Sequence, residues 1–187
     1  MPSITEVDNI KSLDDTGQTS ILTKTGTGEN KVFTADNVTL GSSVVFPAGH
    51  ILQVKLGQTS TQVPLNTANL TPIGLSVDIT PSSPTNKILV TANVQHQLPA
   101  NNGFQFVLYR DATVIVTTTD YHAYTQTGQT NGTVTHIFLD DISDSPAWSS
   151  GVITYSVSVK RYSDSGTVYI TEEGSNSSEI IAMEVVA

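Results

Sequence analysis

An all-β fold, a jelly-roll β-sandwich preceded by an extended arm, is the class the sequence predicts. Three observations predict it. From His50 to the C-terminus apolar residues recur at every second position, which is the side-chain period of a strand. Turn signals break these runs with no amphipathic helical segment between them, which favours a sandwich over a βαβ architecture. Residues 1–49 carry few large apolar side chains among many Thr and Gly, too little to bury a core of their own.

The arm comes first. Its apolar residues, such as Ile4, Val7, Ile10, Ile21, Leu22, Val32 and Phe33, are divided by Asp14-Asp15-Thr16-Gly17 and Thr25-Gly26-Thr27-Gly28. Ser3 with Glu6 fits a capping box for a short helix, and the same residues fit an extended strand in an intertwined stalk. The frequent glycines favour the strand, and an arm of this kind is expected to be ordered by other chains. The domain expected over residues 50–187 follows, with strands at 50–56, 73–80, 88–94, 104–110, 113–119, 133–140, 153–159, 167–172 and 178–187. Ile88, Val90, Ala92 and Val94 share one face while Thr91, Asn93 and Gln95 share the other. Ile153, Tyr155, Val157 and Val159 alternate in the same way with Thr154, Ser156, Ser158 and Lys160. Pro81-Ser82-Ser83-Pro84, Ala100-Asn101-Asn102-Gly103 and Ser163-Asp164-Ser165-Gly166 mark turns, and Arg110-Asp111-Ala112-Thr113 marks a hairpin. Eight or nine strands with some long connections favour the jelly roll over an immunoglobulin-like pair of sheets.

Composition narrows the function. Charged residues are 13% of the chain, against about 25% in ordinary soluble domains, and Ser, Thr, Asn and Gln fill the difference. A net charge of −9 repels phosphate, and the eight Lys and Arg are scattered along the chain, so nucleic acid is not an expected partner. With no Cys, neither disulfides nor Cys-bound zinc are available. No run approaches 18 apolar residues, and Glu6, Asp8, Asp14 and Asp15 stand where a signal peptide has its apolar centre, so no membrane association is expected.

The residue types that carry chemistry are spread along the same chain. His50, His96, His122 and His136 lie in separate segments without metal-ligand spacing, so isolated packing roles are expected of them. Asp140, Asp141 and Asp144 crowd one segment but lack the spacing that wraps oxygens around Ca²⁺, and a solvated acidic loop is expected. Adjacent Glu172 and Glu173 point to opposite faces of a strand and cannot flank one glycosidic bond. Gly26-Thr27-Gly28 lacks the setting of a phosphate cradle, and there is no nucleophile elbow. No catalytic residue, metal or cofactor is assigned. A glycan contact would combine an aromatic face with uncharged hydrogen-bonding groups. Tyr121, His122 and Tyr124 offer that mixture in the segment 120–127, and Trp148 offers its ring in the connection 143–151, where capping the core is the competing role.

Gly74-Leu75-Ser76-Val77-Asp78-Ile79-Thr80-Pro81, Asn86-Lys87-Ile88-Leu89-Val90, Phe106-Val107-Leu108-Tyr109-Arg110-Asp111, Ile137-Phe138-Leu139-Asp140-Asp141 and Thr154-Tyr155-Ser156-Val157-Ser158-Val159-Lys160 appear in this order, and the chain closes on Glu179-Ile180-Ile181-Ala182-Met183-Glu184-Val185. The ordered set, over residues 50–187, resembles the C-terminal module of phage tail-fibre and appendage proteins of the marine and cyanobacterial type. The resemblance implies a homotrimeric jelly-roll head on a virion-bound stalk, without enzymatic activity. Residues 1–49 would join other virion proteins, and the head would meet a host-surface glycan. The leader is shorter than in a long fibre, which leaves a capsid decoration protein or head fibre as the alternative.

Overall fold

The computed structural model describes residues 46–118, 122–144, 146–163, 166–171 and 177–187. The expectations for residues 1–45, Tyr121, Glu172 and Glu173 lie outside that range. Among the described residues eleven strands form: β1 (Ile51–Thr59), β2 (Val63–Leu65), β3 (Thr71–Ile79), β4 (Lys87–Leu98), β5 (Asn102–Arg110), β6 (Thr113–Thr117), β7 (Ala123–Thr125), β8 (Thr130–Asp141), β9 (Ile153–Arg161), β10 (Val168–Ile170) and β11 (Ser178–Val185).

All pairings are antiparallel, in two sheets. The first runs β1–β11–β4, with β8 on the other edge of β4 and β10–β2 alongside; the second runs β3–β9–β5–β6, with β7 also on β5. Set aside the three-residue strands β2, β7 and β10, and number the remaining eight in chain order. The sheets then read 1-8-3-6 and 2-7-4-5, the double Greek key of a jelly roll. Between these eight strands the chain changes sheet at every connection except the β5–β6 hairpin. In that hairpin Asp111 takes φ 52, a left-handed value that Asp tolerates better than most residues.

Strand periodicity accounts for the core. The inward positions Ile73, Leu75, Val77 and Ile79 of β3, Ile88, Val90, Ala92 and Val94 of β4, and Ile153, Tyr155, Val157 and Val159 of β9 meet Phe104, Phe106 and Leu108 of β5 in one apolar cluster. Each Val, Leu, Ile and Phe among them contributes roughly 1.5–3 kcal/mol by leaving water. One close approach fixes how the sheets join. A Cβ on Gly57 of β1 would overlap the carbonyl oxygen of Ser76 in β3, so only glycine lets these two backbones meet.

β10 and β11 lie end to end along the same edge of β4, with Ile170 opposite His96 and Glu179 opposite Asn93. The Thr171 amide donates to Gln95 O at 2.8 Å, and Gln95 N donates to Ser178 Oγ at 3.1 Å. The buried hydroxyls of Thr171 and Ser178 meet at 2.8 Å, so the pair joins the end of β10 to the start of β11 along β4. This is why the expected strand at 167–172 stops at Ile170. β2 and β7 were not expected; three residues are too few to show a period.

Two polar networks close the core. Arg110 Nη1 reaches the Asp140 carboxylate at 3.1 and 3.2 Å, Tyr155 OH donates to the same carboxylate at 2.6 Å, and Arg110 Nη2 donates to Pro146 O at 3.0 Å. Asp140 is 5% exposed, which corrects the expectation of a solvated acidic loop for that residue. The reason is register: Asp140 follows His136 and Phe138 on the inward face of β8, opposite Ile88. Burial first, and the Asp140 carboxylate next, push the Tyr155 phenol far above its ordinary range. At Glu184 of β11, fully buried, the carboxylate accepts from Ser82 N at 2.6 Å, Ser82 Oγ at 2.7 Å, Asn86 Nδ2 at 2.7 Å and Gln53 Nε2 at 2.7 Å. Burial works to raise its pKa, and these hydrogen bonds outweigh it and hold the group below the usual carboxylate value.

Candidate functional site

The outward face of the first sheet is the most distinctive surface of the domain. Cross-strand register places Val54, Met183, Leu89 and Leu139 in one row across β1, β11, β4 and β8. The adjoining row holds Leu56, Ile181, Thr91 and Ile137. Val54, Leu56, Ile137 and Leu139 are more than half exposed, at 56%, 57%, 64% and 51%. Neighbouring strands about 4.8 Å apart and rows about 7 Å apart bring these side chains into one contiguous apolar band, and exposed apolar patches commonly mark interaction surfaces. Both bordering strands, β1 and the twelve-residue β8, keep one unpaired edge among the described residues, a row of backbone donors and acceptors open to another chain.

The sequence carried a signal for this face that alternation alone misses. Ile180-Ile181-Ala182-Met183 and Ile137-Phe138-Leu139 are apolar on successive residues, the pattern of a strand covered on both faces.

The residues singled out for glycan contact are dispersed. Trp148 packs on the core from the connection after β8; its indole N–H donates to Gly151 O at 3.1 Å and its amide donates to Ile142 O at 2.8 Å. Tyr124 lies at the other end of β5, opposite Gly103, with its exposed ring edge-on to Tyr162 at 5.9 Å. His122 turns inward, its amide donating to Phe104 O at 2.7 Å. The domain therefore does not gather Tyr124 and Trp148 into one surface.

His122 belongs to a cluster that sequence reasoning missed. Its ring lies 5.4 Å from His136 and 5.2 Å from Phe106; His136 stacks on Phe106 at 5.0 Å, and His96 meets Phe104 at 5.3 Å. The expectation of isolated histidines is thus corrected for three of the four. In-register pairing of β4 and β8 puts His96 and His136 on the same inward face, and the segment leading into β7 folds His122 over it. Burial lowers all three pKa values. That of His122 falls to about 4, with the neighbouring histidines adding to the burial effect. His96 Nδ1 and His122 Nε2 are buried without a hydrogen-bond partner, so a proton on either ring is poorly accommodated.

No protein-family model and no curated protein sequence matches the chain. Among solved structures it is similar to chains of infectious bursal disease virus Gt strain (12% identity), of its Gx strain (11%) and of its VP2 subviral particle (10%), each with a TM-score of 0.44. The matches cover 82% of this chain and 43%, 42% and 42% of those chains, so it spans less than half the length of each.

Proposed function

We propose that this chain is a non-enzymatic virion structural protein, a jelly-roll head that assembles as a homotrimer and serves host attachment as a tail fibre or appendage. The observation that carries the reading is the apolar band on the outward face of the β1–β11–β4–β8 sheet, bordered by two open strand edges. Such a surface is costly for a protein that works alone and suits one covered by copies of itself. Head-to-tail contacts that close after three copies would use the two unlike edges, β1 of one protomer and β8 of the next. The jelly roll is a recurring architecture of viral capsid and lectin domains, and that support is analogy of fold. The buried ionisable groups favour a structural role too, because Arg110, Asp140 and Tyr155 spend their hydrogen bonds on one another and on loop backbone, and Glu184 spends its own on Ser82, Asn86 and Gln53. In this reading residues 1–49 join other virion proteins.

Antibody labelling of purified particles tests the assignment. Label on the virion surface is expected, at the tail for an attachment fibre; label at the head would make the chain a decoration protein or head fibre instead. Particles that carry none of it would refute a virion role.

A further inference from the structure

The outward face of the second sheet has the opposite chemistry. Where the first shows Leu, Ile and Met, this one shows Ser76, Ser156 and Tyr109 in one cross-strand row over β3, β9 and β5, with Ser158 two positions along β9. The β3–β9 register shifts between Pro72 and Leu75, and Gly74 in that irregularity takes φ 70, which glycine adopts without a steric penalty. Beside it opens a groove of about 420 Å³ whose lining includes Gly74, Ser76, Tyr109, Asp111, Ser156 and Ser158.

Four hydroxyls in this groove, those of Ser76, Ser156, Ser158 and Tyr109, make no hydrogen bond to another described residue. Asp111 is fixed in place: its amide donates to Thr154 O at 2.8 Å and its Oδ1 accepts from Thr154 N at 2.9 Å, which leaves Oδ2 without a hydrogen bond to another described residue. Among the described residues no Lys, Arg or His lines the groove. Hydroxyls both donate and accept, an ionised carboxylate accepts only, and a tyrosine ring offers a flat apolar face. A ligand that matches all three has many hydroxyls, an apolar ring face and no negative charge.

We propose that this groove is a subsite for a neutral saccharide. Tyr109 is the platform for the sugar ring, Ser76, Ser156 and Ser158 exchange hydrogen bonds with its hydroxyls, and Asp111 accepts from one of them. An acidic sugar is disfavoured by Asp111 and by the −9 charge of the chain. The proposal deepens the attachment reading, since it names the chemistry of the receptor, and it moves the contact away from Tyr124 and Trp148.

The test uses the full chain on an array of neutral and sialylated glycans, followed by titration of the strongest neutral glycan. Saturable binding to a neutral glycan is expected. Tyr109→Ala should weaken it at least tenfold, and Ser76→Ala and Ser156→Ala about threefold to tenfold each, the worth of one hydrogen bond. Tyr124→Ala and Trp148→Ala should bind as the parent does. The serine variants keep the strands and remove one oxygen, so they decide the matter even if Tyr109→Ala misfolds. Binding confined to sialylated glycans, binding indifferent to these variants, or no binding to any glycan on the array overturns the proposal. Native mass measured on the same samples separates the two readings: a trimer that ignores glycans retains the assembly, and a monomer that binds them retains the groove.

Discussion

Acidification should loosen this domain through the histidine cluster. An unfolded His122 titrates near pH 6.5, whereas in the fold its pKa is about 4, so between those values the unfolded chain holds the extra proton. The contribution is therefore complete above about pH 6.5 and is lost as pH falls toward 4. At full value that shift is worth about 2 kcal/mol at pH 5, and partial solvent access to the ring reduces it to about 1 kcal/mol. His96 and His136 are shifted the same way by burial and add to it. Moving from pH 7.5 to 5 should lower Tm by about 3–8 °C. Glu184 and Asp141 are lowered carboxylates, whose contribution is lost only at lower pH, below their unfolded values of 4.5 and 3.8. The assay is thermal unfolding followed by circular dichroism at pH 7.5, 6.5, 5.5 and 5.0, on the parent and on His122→Phe, which keeps a ring against Phe106 without a proton site. The parent should lose stability across the window and the variant should show most of that slope removed. A Tm that is flat or rises on acidification, or an equal slope in His122→Phe, would refute the reasoning.

Two further perturbations address the fold itself. Gly57→Ala places a methyl group against the Ser76 carbonyl oxygen, a backbone atom that cannot rotate away, and should cost at least about 2 kcal/mol in urea unfolding; a variant as stable as the parent would show that the β1–β3 approach is looser than described. Asp140→Ala leaves the Arg110 guanidinium buried and unpaired and should cost about 3–5 kcal/mol, whereas Arg110→Met with Asp140→Leu should cost much less than the sum of the two single changes; additive losses would deny the pair its coupling.

Much of the fold was legible because burial on one face imposes a period of two, and Ile88, Val90, Ala92 and Val94 with Ile153, Tyr155, Val157 and Val159 display it. The jelly-roll class was favoured by strand number and connection length, and the strand order came only with the pairings. β2, β7 and the break between β10 and β11 were not legible, since their existence depends on partners distant in sequence: Val63 opposite Ile170, Ala123 opposite Phe104, Thr171 against Ser178. The outward apolar band was half written in the runs Ile137-Phe138-Leu139 and Ile180-Ile181-Ala182-Met183, but which of those residues face outward is decided by register. The histidine cluster and the serine groove were hidden for the same reason. Neither His96 and His136 nor Ser76, Ser156 and Tyr109 are near one another in the chain, and only strand pairing gathers them.

The mass of the protein in solution bears most directly on whether the apolar band is an assembly face. Sedimentation velocity on the full chain, beside Leu89→Glu and Ile181→Glu, should give a parent at three times the 19.9 kDa protomer and variants that run as folded monomers. A parent that sediments as a monomer at micromolar concentration, or a trimer indifferent to both charges, would contradict it.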